Sequence, residues 1–255
     1  MSRASRFFIS AKLKKGPLTL QGAEFHFMVR VSQHQTGETV TLFDGTGREA
    51  EAEIKHVSRD AASLTVGKVV TVPESPGPQL VLAVSMPSAA RAVRLIEQAV
   101  ELGVTRLIPL HTARTVPPAR GFSLEKVQDS IVSASRLSGR SRLMKVDSQM
   151  PWSQFLTSKL MGPGTIVAHP GGAPLNEALP QAVNAAASAG SPDNGKRILP
   201  VVAVAGPDAG LTIDEIIAAV THGARLVDLG PRPLRTDTAA LVIASAFMTG
   251  SIQTA

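Results

Sequence analysis

The 255-residue sequence predicts an α/β protein in two parts, a small β-barrel followed by helices layered on a mainly parallel sheet. Three observations predict it. Up to about residue 72 the chain runs in short alternating segments separated by turn residues, with no convincing helix. Residues 73–78, Pro-Glu-Ser-Pro-Gly-Pro, then read as a linker. Beyond them, apolar runs alternate with segments of helical period.

Taken in order, Thr39–Phe43 is a strand, and Asp44-Gly45-Thr46-Gly47 is its turn. Residues 51–57 and 63–66 are further strands of the barrel. Residues 79–85 are continuously apolar, as expected of a strand covered on both faces. Ser88 is placed to cap a helix that runs to about Leu102 and stops at Gly103. Val93, Ile96 and Val100 fall on its inner face, with Arg91, Arg94, Glu97 and Glu101 opposite. Residues 105–110 form a strand, and Ser123 opens a second helix with Leu124, Val127 and Ile131 inward. Residues 165–168, Val201–Ala205 and 225–229 are strands. A capping box at Thr212 and Glu215 leads into a helix over 216–220. The last helix starts near Thr236 and runs to Thr249, with Gly250 at its end. Residues 182–196 are rich in Ala, Ser and Gly without a clear period, and read as a mobile surface loop.

Composition narrows the function. Hydrophobic residues make up 44% and charged residues 18%, which is globular rather than disordered or fibrous. Lys and Arg number 26 against 20 Asp and Glu, a formal charge of +6 that admits an anionic partner such as nucleic acid. The absence of cysteine excludes disulfides, thiolate catalysis and Cys-ligated zinc or iron–sulfur centres. No apolar run is long enough for a signal-peptide core or a membrane span, so a soluble cytoplasmic protein is expected.

Ligands of open α/β sheets bind beyond the carboxyl ends of the strands. Three such ends here carry Gly and Pro: Ala168-His169-Pro170-Gly171-Gly172, Ala205-Gly206-Pro207-Asp208-Ala209-Gly210, and Leu229-Gly230-Pro231-Arg232-Pro233-Leu234-Arg235. Glycines there let the backbone approach a ligand and offer it N–H and C=O groups. Each turn alone is equally an ordinary strand-to-helix connection; three together point to a ligand site. No Gly-Lys-Ser/Thr follows any of them, which excludes a P-loop, and no Gly-x-Gly-x-x-Gly opens a helix after the first strand. Arg235 either faces the ligand or forms a surface ion pair, and Asp237 suits the start of the last helix through the helix dipole. The six histidines include no pair at metal-ligand spacing, so no metal is expected, and His169 reads as structural. Basic residues cluster at 1–30, with Arg6 and Arg30, and at 114–145, with Arg114, Arg140 and Arg142. Tyr is absent and Trp152 is the only Trp, which disfavours stacking on single strands and favours a folded RNA read by shape and phosphate.

These residues resemble the bacterial 16S rRNA uridine-N3 methyltransferase family, of the knotted (SPOUT) class of S-adenosylmethionine enzymes. The resemblance is carried by Arg6-Phe7-Phe8, His26-Phe27-Met28-Val29-Arg30, Leu42-Phe43-Asp44-Gly45, Glu101-Leu102-Gly103-Val104 and Ser138-Gly139-Arg140-Ser141. Most specific are Gly206-Pro207-Asp208-Ala209-Gly210-Leu211 with Glu215, and the run from Leu229 through Leu234-Arg235-Thr236-Asp237-Thr238-Ala239. It implies a PUA/OB-like β-barrel over 1–72, a linker over 73–78 and a trefoil-knotted parallel-sheet methyltransferase domain over 79–255. It also implies a homodimer with the RNA lying across both subunits. S-adenosylmethionine would sit against Ala168, His169 and Pro170, against Ala205, Gly206, Pro207, Asp208 and Gly210, and against Leu229, Gly230, Leu234, Arg235, Thr236 and Ala239. RNA would meet Arg6, Arg30, Arg114, Arg140 and Arg142. In the chemistry it implies, Arg235 stabilises negative charge on the uracil oxygens, and Asp237 orients Arg235 or accepts the N3 proton.

The chain departs from the family pattern at four places. Asp208 and Ala209 stand for Glu-Gly, Arg136 and Leu137 for Glu-Gln, Asp237 for Glu, and Gln98-Ala99-Val100 for Lys-Ala-Thr. Three other readings stay open: a non-catalytic RNA-binding ribosome-assembly factor, a knotted methyltransferase acting on another RNA base, and a small-molecule enzyme that uses the turns for a nucleotide. Binding of S-adenosylmethionine discriminates against the first, and salt-sensitive RNA affinity against the last.

Overall fold

A computed structural model describes residues 5–74, 77–116, 124–189 and 198–252. The chain divides into two compact units, Met1–Glu74 with Val132–Leu143, and Ser75–Ile131 with Met144–Ala255.

The first unit contains β1 (Arg6–Phe8), β2 (Gly16–Gln21), α1 (Gly22–His26), a π-helical turn at Phe27–Val31, β3 (Thr39–Phe43), β4 (Arg48–Val57), β5 (Ala61–Val66) and β6 (Val70–Thr71). The strands make one sheet in the order β1-β3-β4-β5-β2, with β6 on β4. The β1–β3 pair is parallel and the other pairs are antiparallel. Alternation does the folding: Ala62, Leu64 and Val66 of β5 are buried, while Ser63 and Thr65 point out. Phe7 and Leu20, from the two edge strands, enter the same core as Leu42 and Ile54, so the sheet curls on itself. The expected turn forms as an Asx-turn, with Asp44 Oδ1 accepting from the Thr46 N–H at 3.0 Å and Gly45 and Gly47 at φ 77° and 94°.

One expectation fails in this unit. A short helix stands where none was read, and its Phe25, with Met28 of the π-helical turn, plugs the core. Five-residue pieces are too short for a helical period to emerge from the sequence. The unit also takes in Val132–Leu143, beyond the expected barrel boundary at residue 72. Backbone ties hold that segment, with the Gly47 N–H donating to the Ser141 carbonyl at 2.9 Å and the Leu143 N–H to Gly45 at 3.0 Å.

The second unit adds β7 (Leu80–Ser85), α2 (Ala89–Glu101), β8 (Arg106–His111), α3 (Leu124–Ser138), β9 (Lys145–Val146), β10 (Met150–Pro151), α4 (Trp152–Leu156), β11 (Thr165–Pro174), α5 (Leu175–Ser188), β12 (Val201–Ala205), α6 (Ile213–Thr221), β13 (Arg225–Asp228) and α7 (Thr236–Ile252). From Val132 onward α3 belongs to the first unit. The sheet is parallel throughout, in the order β10-β8-β7-β12-β11-β13 with β9 on β8. Every residue of β7 and β12 is buried, as their unbroken apolar runs require. On α2, Leu95, Ile96, Ala99 and Val100 are buried. That helix ends in a Schellman motif: Gly103 takes φ 80°, its N–H reaches the Val100 carbonyl, and the Val104 N–H reaches Ala99.

Four readings are corrected or fall outside the description. Ser88 occupies the N-cap of α2, but its side chain makes no cap bond. Residues 182–188 are the end of helix α5 rather than a loop, with Ala178, Ala182 and Ala186 buried at four-residue spacing. Alanine is the best helix former but carries little apolar contrast, so that period was hidden. Residues 190–196 of the expected loop lie outside the described residues, as does Ser123. Gly250 lies inside α7, not at its end. Among the described residues no helix is long and apolar enough to cross a membrane.

Candidate functional site

The first turn is a bulge in β11. Ala168 pairs with Val227, and Ala173 pairs with Val227 again, so the residues at 169–172 loop out of the sheet. The loop closes at Gly172, where a Cβ would stand 2.5 Å from the Leu226 carbonyl carbon and 2.6 Å from the Val227 nitrogen. Asp228, at the end of β13, ties this turn to the third. Its Oδ2 accepts from the Gly171 N–H at 2.9 Å and its Oδ1 from the Gly230 N–H at 2.8 Å. Those two donors, Gly171 foremost, hold the carboxyl below the usual carboxylate range, and the His169 charge adds to them. His169 turns its Nδ1 to the neighbouring Pro170 carbonyl at 2.7 Å.

The second turn follows β12 and is closed by the Gly210 N–H on the Pro207 carbonyl at 2.7 Å. Gly210 takes φ 75°, whereas Ala209 is not at positive φ, so an alanine stands there without strain. This turn is also tied to the third. The Thr236 N–H donates to Asp208 Oδ1 at 3.0 Å. The Thr236 hydroxyl has one proton and two acceptors, the Gly206 carbonyl at 2.8 Å and Asp208 Oδ1 at 2.9 Å. Arg91 of α2 completes the group, donating from Nη2 to Asp208 Oδ2 at 3.0 Å and from Nη1 to Asp237 Oδ1 at 3.2 Å. The Thr236 N–H, followed by Arg91, holds the Asp208 carboxyl below its ordinary range, and the hydrogen bond to Asp208 raises the Arg91 guanidinium above its own.

The third turn is therefore the hub that joins the other two. Arg235, at its end, is exposed; its carbonyl accepts from the Ala239 N–H at 2.8 Å, and its side chain has no hydrogen-bond or ion-pair partner among the described residues. Asp237 pairs with Arg91 and not with Arg235. Thr236 and Ala239 are buried, and Leu234 is half-buried. Each turn carries one glycine at positive φ, Gly171, Gly210 and Gly230, with no atom within 4 Å of where a side chain would stand. A backbone rim of this kind, open on its outer side, fits a flat adenosyl group held by main-chain atoms.

A second polar layer supports the rim. The capping box of α6 forms as read, and Glu215, buried, also accepts from the Ala113 N–H at 2.8 Å. Arg114 donates to the Ala209 carbonyl of the second turn at 3.0 Å. Thr112 and Thr115 hydroxyls lie 2.8 Å apart, with Ser85 Oγ 3.2 Å from Thr115.

A cavity of about 1200 Å³ opens beside the first and third turns. It is lined by Gly172 and Pro174, by Asp228, Leu229, Gly230 and Pro231, by Leu175, Leu179 and Val183 of α5, and by Ala246, Phe247 and Gly250 of α7. Of the expected cofactor residues only Leu229 and Gly230 line it; Ala168, His169, Pro170, Ala205, Gly206, Pro207, Asp208, Gly210, Leu234, Arg235, Thr236 and Ala239 do not. The α5 wall was missed because residues 182–196 read as a loop and residues 175–181 were assigned no element. Asp228 and Arg91 were missed for another reason: Arg91 meets carboxylates 117 and 146 residues away, which leaves no local signal.

The residues read as RNA contacts divide. Arg30 is exposed. Arg6 donates to Glu49 at 3.0 Å and to the Ser141 hydroxyl at 2.7 Å. Arg142 donates to the carbonyls of Thr46 at 2.6 Å and Val72 at 3.3 Å. Arg140 is half-buried, and burial lowers its guanidinium below the ordinary value. Among the described residues no three His, Asp or Glu side chains converge as a metal site.

The chain matches the family model of the RNA methyltransferase domain over residues 73–248 and that of the RNA methyltransferase PUA domain over 20–67. It is 30% identical to the ribosomal RNA small subunit methyltransferase E of Synechocystis, over 88% of this chain and 70% of that one. It is 29% identical to the Mycobacterium bovis protein of the same name, over 94% and 89%. The crystal structure of the Neisseria gonorrhoeae ribosomal RNA small subunit methyltransferase E bound to S-adenosyl methionine superposes with a TM-score of 0.74 at 25% identity, covering 97% of this chain and 98% of that one. A parallel sheet with its turns gathered at the carboxyl ends, and a PUA-type sheet ahead of it, accord with those matches, and the chain belongs to the RNA methyltransferase family that includes the ribosomal RNA small subunit methyltransferase E proteins.

Proposed function

We propose that this chain transfers a methyl group from S-adenosylmethionine to N3 of a uridine in 16S rRNA of the small ribosomal subunit. The observation that carries the reading is the junction of three glycine-bearing strand ends through Asp228, Asp208 and Thr236, beside the Arg235 guanidinium, which has no partner among the described residues. The relatives' names supply the substrate class, and the Neisseria protein is bound to S-adenosyl methionine. Ala168 to Pro170, Ala205 to Asp208 with Gly210, and Leu229, Gly230, Leu234, Thr236 and Ala239 would hold the cofactor, mainly through backbone groups.

When bound, S-adenosylmethionine supplies a methyl group already activated by the sulfonium charge. The chain's own residues supply geometry and charge. The turns fix the direction along which the uracil N3 must approach, and such orientation accounts for much of the rate in transfers of this kind. As the sulfur–methyl bond breaks and the N3–methyl bond forms, N3 gives up its proton to solvent water, and Arg235 stabilises the negative charge that develops on the uracil oxygens. The target base reaches the rim only when unstacked from the RNA. The barrel over 1–72, joined through a linker at 73–78 to a methyltransferase domain over 79–255, grips the RNA, with exposed Arg30 among its contacts. We read the second domain as knotted, supported by β12 lying between β7 and β11. We read the protein as a homodimer, supported by the apolar α5 and α7 side chains at the open cavity, and as cytoplasmic, supported by the ribosomal RNA substrate in its relatives' names.

The test is methylation of 30S subunits lacking the modification, followed by nucleoside analysis of the 16S rRNA. The expected product is 3-methyluridine at one site, with turnover lowered about 100-fold by Arg235→Ala. Transfer to another base, or none, overturns the proposal.

A further inference from the structure

Arg91 stands outside all three turns, in the first turn of α2. Its forked guanidinium reaches two carboxylates on two different elements, Asp208 behind β12 and Asp237 at the start of α7. The second oxygen of Asp208 accepts from the Thr236 N–H, so Arg91, Asp208, Thr236 and Asp237 close a ring. We propose that Arg91 is a positioning residue for methyl transfer, which fixes the second turn against the start of α7 and so sets where the Arg235 guanidinium stands. The proposal rests on reading the rim as a methyltransferase centre.

Arg235 immediately precedes Thr236. Its side chain has no partner among the described residues, so its direction is set by its own backbone. That backbone is pinned on its C-terminal side by the Thr236 N–H on Asp208 and by Asp237 on Arg91. Asp208 in turn is fixed by Arg91. Asp208 and Asp237 both have short side chains, and both arrive at the one guanidinium, which spans them with separate nitrogens. A lysine ammonium is a point charge without that fork and cannot reproduce both contacts with the same geometry. Displacement of a reacting group by about 1 Å lowers a rate by up to roughly 100-fold, so a residue that never touches the substrate can control turnover.

The experiment uses the full chain with Arg91→Ala, Arg91→Lys and, as a control, Arg94→Ala, an exposed arginine of the same helix. Turnover of 30S subunits is expected to fall roughly 10- to 100-fold in Arg91→Ala, with KM for the subunit changed less than about twofold. Arg91→Lys is expected to recover part of kcat, and Arg94→Ala to match the unaltered chain. Adding Asp237→Asn to Arg91→Ala should lower kcat little further, because the two act through one contact. Turnover within about twofold of the unaltered chain in Arg91→Ala, or full additivity with Asp237→Asn, overturns the proposal. Hydrogen exchange at the Thr236 amide needs no turnover. Faster exchange in Arg91→Ala supports the clamp, and unchanged exchange refutes it even if the unaltered chain transfers no methyl group, so the two failures are separately visible.

Discussion

The arginines of the first unit and the arginine that ends the third turn are the same residue type in a basic sequence, and they differ in what their charge meets. Arg136 pairs with Glu24 and stacks 4.0 Å over the Phe27 ring. Arg6 is held by Glu49 and Ser141, and Arg142 by two carbonyls of its own unit. The Arg235 guanidinium has no partner among the described residues. In the barrel, charge is turned inward to tie the 132–143 segment to the sheet. At the rim of the second unit, charge acts on the backbone: Asp228, Asp208 and Arg91 aim N–H groups and turns, and the Arg235 side chain is left without a partner among the described residues. Net charge therefore measures a supply of cations, and only their partners decide which are available.

The comparison breaks most easily at Gly172. If the rim is a matter of backbone approach, a single methyl there is the most damaging change. The Cβ of Gly172→Ala would press on the Leu226–Val227 backbone, which cannot retreat without parting β11 from β13. A loss of about 3 kcal/mol in denaturant unfolding is expected. Gly171→Ala, one residue earlier, meets no atom and bears only the strain of φ 79°, about 1 kcal/mol. Equal effects from the two changes would show that the bulge does not close as described.

Next in size is Arg136→Met, which keeps an apolar stem and removes the charge. Glu24 is half-buried, and burial pushes its carboxyl above the ordinary range, against the pull of Arg136 and the Phe8 N–H. Removing the cation leaves a desolvated carboxylate, and a loss of about 2 kcal/mol is expected at neutral pH. The sign with pH follows from the raised pKa. Such a carboxyl favours the fold below its ordinary pKa and loses that contribution as pH rises through the folded value. Without Arg136 the folded value climbs further, so the deficit against the unaltered chain grows with rising pH and shrinks as Glu24 protonates. Melting from neutral pH to pH 4 checks this; a deficit independent of pH would place the whole effect in the Phe27 contact.

The same contrast explains what the sequence made legible. Strands β7 and β12 were readable because burial on both faces demands unbroken apolar runs, and α2 because its apolar face and Gly103 are local signals. The three turns were readable because glycine and proline at strand ends are local as well. Helix α5 was not, since alanine buries well with little contrast to mark it. Nor did Arg136 read as a structural residue, because Glu24 lies 112 residues away. Arg91 and Asp228 lacked a signal for the same reason: their partners come together only once the sheet has formed.

The smallest effect sharpens the comparison most. Asp228→Asn keeps the shape of the side chain but leaves one carbonyl oxygen where two carboxylate oxygens now hold the Gly171 and Gly230 N–H groups. Both donors are solvent-exposed, so neither is orphaned in a dry interior, and the unfolding midpoint should stay within error of the unaltered chain. What changes is the fixed relation between the first and third turns. If the rim binds S-adenosylmethionine, affinity measured by calorimetry should fall about fivefold, which is the scale of one hydrogen bond. The pH dependence separates this from a loss of packing. Because Asp228 is held below its ordinary range, the clamp is present above that range and fails as pH falls through the lowered value. The unaltered chain should therefore lose affinity in acid in a way that Asp228→Asn does not. Parallel pH profiles would show that the two turns hold their places without the carboxylate, and the contrast between a barrel tied by charge and a rim aimed by it would then rest on Asp208 and Arg91 alone.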